Sequence, residues 1–133
     1  MICLDTNFLV DLWRNRGVPD HPAAALLRRL AGETVAVPVH AAGEFLEGAA
    51  IVSEDRLADA VRFLRLFEMG IVGLETAQQY ARIVAHLRRH SLLAGLSKPD
   101  VWIAAWAREH AAGLATRNTR HFQRIPELRL IAY

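Results

Sequence analysis

Four side chains that carry oxygen donors stand at comparable places along the chain. Asp5 ends the apolar run Met1-Ile2-Cys3-Leu4, Glu44 lies just beyond Thr34-Val35-Ala36-Val37-Pro38-Val39, Asp100 follows Ser97-Lys98-Pro99, and Asn118 comes just after Gly113-Leu114-Ala115-Thr116. Carboxylates crowded into a partly dry crevice repel one another and resist ionising, so a group of three persists comfortably only around a cation. Hard oxygen donors of this kind select Mg²⁺ or Mn²⁺ and not zinc. Each residue also has a purely structural reading. Asp5, Thr6 or Asn7 can cap a following helix, and Asn118 can cap the short turn it begins. Asp100 completes Ser97-x-x-Asp100, a capping box, and complements the helix dipole. Glu44 can be an ordinary acid near a helix start, and Glu47 reads as a surface residue. The four weigh more together than singly, because they are expected at one edge of one sheet.

That edge depends on the elements that carry them. Met1-Ile2-Cys3-Leu4 is short and apolar and reads as a buried strand, and Phe8-Leu9-Val10-Asp11-Leu12-Trp13 reads as the helix it feeds. After the turn cluster from Gly17 to Pro22, a helix from Ala23 to Leu30 is closed by Gly32. Thr34 to Val39 is β-branched on both faces and predicts a second strand, with Pro38 at its end where no ladder donor is lost. A helix from His40 to Ala50 follows. Ser53-Glu54-Asp55 opens another, in which Leu57, Ala60, Val61, Leu64 and Phe67 make an apolar stripe. Gly70 to Leu74 reads as a third strand, Glu75 to Leu93 as the longest helix, Ser97 to His110 as a further helix, and Gly113 to Thr116 as a fourth strand. Arg117 to Phe122 is one helical turn, and Leu128 to Ala132 a last strand. Alternating strands and helices predict an α/β fold with a parallel sheet. If later strands lie on both sides of the first, the order reverses beside it and the crevice at its carboxyl end becomes the site.

The 133 residues fit one domain, spanning 1–133, with 53% apolar and 23% charged residues, as suits a soluble globular protein. No apolar run is long enough to cross a bilayer, and the first strand begins at Met1 without a basic leader, so a cytoplasmic location is expected. The net charge of +2 permits an anionic partner without requiring one. Cys3, the single cysteine, reads as packing. Trp13, Trp102 and Trp106 sit at helical spacings among small apolar residues and are expected to pack in a core or interface. His86 and His90 are four apart but lack the HExxH glutamate, and no Walker loop, GxGxxG or GxSxG is present.

Taken in order, Leu4-Asp5-Thr6-Asn7, Gly43-Glu44, Asp100-Val101-Trp102-Ile103-Ala104-Ala105 and Thr116-Arg117-Asn118-Thr119-Arg120-His121-Phe122 resemble the motifs of PIN-domain nucleases, and most of all VapC-type toxins of toxin–antitoxin pairs. The resemblance spans essentially the whole chain. It implies a three-layer α/β/α sandwich around a central parallel five-stranded sheet, and Mg²⁺-dependent hydrolysis of RNA phosphodiesters, with Mn²⁺ as a substitute. It implies Asp5, Glu44 and Asp100 as metal ligands, Asn118 at the fourth catalytic position, and Thr6 and Thr116 in support. Many family members carry aspartate where this chain has Asn118, which keeps an oxygen but loses a charge. The implied partners are RNA, a cognate antitoxin laid across the site, and a second copy of the chain; no membrane is involved. Leu57 to Phe67 offers a docking face for the antitoxin, or packs in the chain's own core. By their closeness in sequence to the site, His40, Lys98, Arg117 and Arg120 are candidates for the RNA backbone, with Arg117 and Arg120 equally able to face solvent. Two other functions remain open: an aspartyl phosphotransferase or phosphatase, disfavoured because Asn7 stands where a second acid is needed, and a non-catalytic binding module that keeps the PIN fold.

Overall fold

A computed structural model describes residues 1–133. The three residues of β1 (Ile2–Leu4) are all buried. Successive strand residues point to opposite faces, so burial of all three means that both faces of the sheet are covered there. Asp5 then breaks the apolar run and starts α1 (Thr6–Arg14), which is followed by α2 (Pro22–Arg29), β2 (Val35–Pro38), α3 (Val39–Ala50) and α4 (Glu54–Leu64). The chain continues through β3 (Glu68–Gly70), α5 (Leu74–Arg89), α6 (Lys98–Glu109), β4 (Gly113–Ala115), α7 (Thr119–Phe122) and β5 (Leu130–Ile131).

The five strands lie in the order β3-β2-β1-β4-β5, each pair parallel. β1 is therefore central, with Cys3 opposite Ala36 on one side and Leu114 on the other. The order reverses at β1, as the alternation of elements predicts, and the crevice beyond its carboxyl end lies between the segments leaving β1 and β4. Leu114 and Ala115 are as buried as Cys3 and Leu4, so the middle of the sheet is dry. Trp13 and Trp106 join this core, Trp13 meeting Phe45 and Phe63 edge-on at centroid distances of 5.9 and 5.0 Å. In the amphipathic stretch of α4, Ala60 and Leu64 are buried, while Leu57 and Val61 are only partly covered. Part of that stripe serves the chain's own core and part is left open.

Three boundaries differ from the sequence-based expectation. The third strand is Glu68–Gly70, upstream of the apolar Gly70 to Leu74, and Gly73 instead caps α5. β3 is an edge strand whose Glu68 and Met69 are exposed, so burial imposes no apolar pattern on it. Its last residue is Gly70, where a Cβ would fall 2.6 to 2.9 Å from the Trp106 indole. α5 stops at Arg89, with His90 as its cap and Ser91 at φ 56°, short of the expected Leu93. β5 is reduced to two residues, because only Leu114 and Ala115 have partners in it.

Candidate metal site

Asp5 leaves β1 in an extended conformation and caps α1, its Oδ1 accepting from the Phe8 N–H at 2.7 Å. Thr6 and Asn7, which equally suit the cap by residue type, do not fill it. Thr6 is the first helical residue, and Asn7 is exposed. The other oxygen of Asp5 accepts from the Thr116 hydroxyl, which arrives from the end of β4 next door. That hydroxyl accepts in turn from the Asn118 N–H at 2.9 Å, so Thr116 links the two strand ends. Both neighbours of the link are buried: Asp5 is 2% exposed and Thr116 fully covered.

A carboxylate so placed has lost most of its water. Burial pushes the Asp5 carboxyl up to about 6. The hydrogen bonds from Thr116 and Phe8 pull the other way, the negative charge of Asp100 pushes it further up, and the guanidinium of Arg117 pulls it down. Cys3, directly beneath, is held as a neutral thiol by burial first and by the charge of Asp5 second. It packs and does not ionise, in keeping with its position in β1.

The second acid, Glu44, stands on α3 half-buried, and its Oε2 accepts from the Thr6 hydroxyl at 2.6 Å. Thr6 thus ties the start of α1 to α3. The third, Asp100, fills the cap that its sequence context allowed. Its carboxylate accepts from the Ser97 N–H at 3.1 Å and its own N–H donates to the Ser97 hydroxyl at 3.2 Å, which completes the capping box of α6. Its charge is nonetheless felt at Asp5. No three His, Cys, Asp or Glu side chains are drawn close enough to make a ready-formed cage. Glu44 rests on the Thr6 hydroxyl from α1, and Asp100 on the Ser97 N–H of its own cap.

Asn118 is the residue at the start of α7, but its side chain makes no capping bond; its amide Nδ2 meets His121 Nδ1 at 2.8 Å. Lys98, the first residue of α6, and Arg120, in α7, are exposed. His40, in the first turn of α3, lies flat on Trp102 at 5.0 Å, and Trp102 lies on Tyr80 at 4.2 Å, a column of three rings beside the start of α6. His40 Nδ1 has no hydrogen-bond partner.

Residue types near the expected motifs left two participants unmarked. Asp11, on α1, is 7% exposed and pairs with Arg117, its Oδ2 lying 2.8 Å from the guanidinium NH1 and its Oδ1 3.1 Å. Tyr133 donates its hydroxyl to the same carboxylate at 2.9 Å and packs edge-on against Phe8 at 4.7 Å. Burial, and then the bond to Asp11, keep this phenol protonated well above the usual range. A signal for Asp11 was present: it follows Phe8 by three residues, on the face that α1 buries, and an acid there needs a partner. Tyr133 gave no comparable signal.

Comparison with known proteins places this arrangement. The model of the PIN domain family matches residues 2–128. Ribonuclease VapC1 of Methanocaldococcus jannaschii is 29% identical over 133 residues, covering 99% of this chain and 86% of the relative. Among solved structures, VapBC2 from Rickettsia felis bound to a DNA fragment from its promoter superposes with a TM-score of 0.87 at 25% identity, covering 100% of this chain and 99% of the other. DNA-bound VapBC from Salmonella typhimurium gives 0.83 at 25% identity, with 99% and 98% coverage. FitAcB from Neisseria gonorrhoeae gives 0.80 at 25% identity, with 98% and 96% coverage.

Proposed function

The chain belongs to the PIN-domain family, and from that membership we propose that it is a metal-dependent endoribonuclease acting as the toxin of a toxin–antitoxin pair. The relative named as a ribonuclease supports the activity, and the likeness to VapBC and FitAcB structures supports the pairing. The observation that carries the metal reading is Asp5: a carboxylate 2% exposed, with its carboxyl pushed up to about 6 chiefly by burial and further by the nearby charge of Asp100. An anion in that position is destabilised unless a cation meets it.

The donor set fits Mg²⁺ or Mn²⁺, since Asp5, Glu44 and Asp100 offer only hard oxygens. Asp5 would be the fixed ligand, its orientation held by Phe8 and Thr116. Glu44 and Asp100, which accept from the Thr6 hydroxyl and the Ser97 N–H, would supply the other two carboxylates. Asn118 would contribute its amide to the same edge, and Thr6 and Thr116 would support. The bound cation supplies Lewis-acid polarisation of the phosphodiester and acidifies water at the site. The carboxylates would fix its position, and one would accept the proton released as water attacks phosphorus; the P–O3′ bond breaks and the departing 3′-oxygen takes up a proton, leaving a 5′-phosphate and a 3′-hydroxyl. Lys98 and Arg120, exposed at the starts of α6 and α7, would meet flanking phosphates, and His40 would border the same path.

An apolar groove between α1 and α3, lined by Val10, Trp13, Phe45, Ala49 and Val52 and rimmed by Arg14 and Arg56, would receive the antitoxin. It adjoins the open part of α4. The exposed Met69, Ile71 and Leu74 along and beyond edge strand β3 would meet a second copy. No helix is long and apolar enough to cross a membrane; on this reading the protein would act on RNA in the cytoplasm, with residues 1–133 working as one nuclease domain.

The test is cleavage of structured RNA by the purified chain. Activity is expected with Mg²⁺ or Mn²⁺, loss with EDTA, and loss in Asp5→Asn with the fold retained. Full activity in Asp5→Asn sinks the mechanism. A short open reading frame abutting the gene, whose product suppresses cleavage, would support the toxin assignment; a product that binds without suppressing it counts against.

A further inference from the structure

The pair between Arg117 and Asp11 is lopsided. Asp11 is almost wholly enclosed, its side chain 10% exposed, whereas the Arg117 side chain is 55% exposed. The contact is made through one guanidinium nitrogen, NH1, which reaches both carboxylate oxygens of Asp11, at 2.8 and 3.1 Å. A guanidinium carries five N–H donors in a rigid fork, so those on NH2 and Nε remain unengaged on an exposed group. Tyr133 approaches Asp11 from a second direction at 2.9 Å, which fixes the carboxylate and with it the near end of the guanidinium. The backbone of Arg117 lies between Thr116, whose hydroxyl holds Asp5, and Asn118. Its charge reaches Asp5 as well.

Anchored at NH1, the guanidinium keeps its remaining donors on a side chain that is 55% exposed. We propose that Arg117 is a phosphate-binding residue of the RNA path, and that Asp11 and Tyr133 are positioning residues which hold it there. This rests on the ribonuclease reading and goes beyond it in naming the contact and the two side chains that make it rigid. Arg, rather than Lys, suits the position, because a planar fork can serve a carboxylate on one edge and a phosphate on another.

The experiment measures binding of a fluorescent random-sequence single-stranded RNA to the full chain in Ca²⁺, by anisotropy, across a salt series, alongside thermal melts of every variant. Each phosphate contact on a single strand contributes about 0.7 to the slope of log affinity against log salt. Arg117→Ala is expected to weaken binding about tenfold and make the slope shallower by about that amount. Asp11→Asn and Tyr133→Phe, which keep shape, are expected to weaken binding several-fold when Arg117 is present and to add nothing in the Arg117→Ala background. A strut that only stabilises the fold would not show that dependence. Unchanged affinity and slope in Arg117→Ala, with a lowered melting temperature, overturn the proposal and leave the pair structural. Losses from Asp11→Asn that simply add to those of Arg117→Ala overturn the positioning role. Failure of the unaltered chain to bind RNA overturns the ribonuclease reading itself, and this one with it.

Discussion

The Thr116 hydroxyl donates to the Asp5 carboxylate across 111 residues of chain, joining the ends of two adjacent parallel strands. It also accepts from the Asn118 N–H, so one buried hydroxyl sets both the central acid and the residue beside it. Thr116→Val removes the hydroxyl at nearly constant volume and leaves the part-buried Asn118 N–H and a buried carboxylate oxygen of Asp5 unpaired. A destabilisation of about 1–3 kcal/mol is expected in urea titrations, with Thr116→Ser close to the unaltered chain. Mn²⁺ affinity, read by calorimetry, should fall with Val and survive with Ser.

Stability should depend on pH through Asp5. Its carboxyl lies near 3.8 when unperturbed and is pushed up to about 6 in the fold, so the folded chain holds the proton more tightly than the unfolded one. The stabilisation from the protonated form is complete below about pH 4 and is lost as pH rises through about 6, with a ceiling of about 3 kcal/mol. In EDTA, this group makes the chain more stable near pH 4.5 than near pH 8. Asp5→Asn should flatten that part of the profile, and an identical profile in the variant rules out Asp5 as its source.

Metal binding follows with the opposite sign. A cation requires the ionised carboxylate, so the rise in melting temperature on adding Mg²⁺ is expected to be larger near pH 8 than near pH 5. A shift independent of pH would mean that Asp5 is not a ligand.

Asp100 serves both as the reciprocal partner of Ser97 in a capping box and as a charge near Asp5, and the two roles can be separated. Ser97→Ala should cost about 1 kcal/mol of stability and leave cleavage within a few-fold. Asp100→Asn keeps an acceptor for the Ser97 N–H and should cost less than that, yet abolish cleavage under saturating Mg²⁺. Equal activity losses from the two variants would make the cap, not the charge, the functional feature.

At Asn118 the expected effect is coupled to a neighbour, because its amide Nδ2 meets His121 Nδ1 at 2.8 Å. Asn118→Asp restores a charge at the site and should raise Mn²⁺ affinity. It also requires His121 to donate instead of accept, so His121→Ala should alter the size of that gain. Additive effects in a calorimetric double-mutant cycle would show that the two side chains act separately.

Much of this was legible in the chain alone. The alternation of apolar strands with amphipathic helices determined a parallel sheet, because strands buried on both faces and crossovers between them allow little else. The end of the first strand at Asp5, with Glu44, Asp100 and Asn118 expected at the same edge, marked a candidate site there, and the ordered motifs pointed to the family. Short strands at the sheet's margin were read less well. β3 is exposed and bears Glu68, so burial wrote no pattern into it, and the apolar residues that follow were taken for the strand.

What only the tertiary structure decided were the partnerships between distant residues. Whether Asp5, Thr6 or Asn7 caps α1 depends on backbone geometry that residue type leaves degenerate, and Asp5 takes the cap while also receiving Thr116. The place of Asp11 on the buried face of α1 required a partner, but only packing showed that Arg117 and Tyr133 supply it. The physical reason is the same in each case. Local propensity and periodicity are properties of neighbouring residues and can be read from them, whereas desolvation and hydrogen-bond partnership arise only when strands and helices far apart in the chain are brought together.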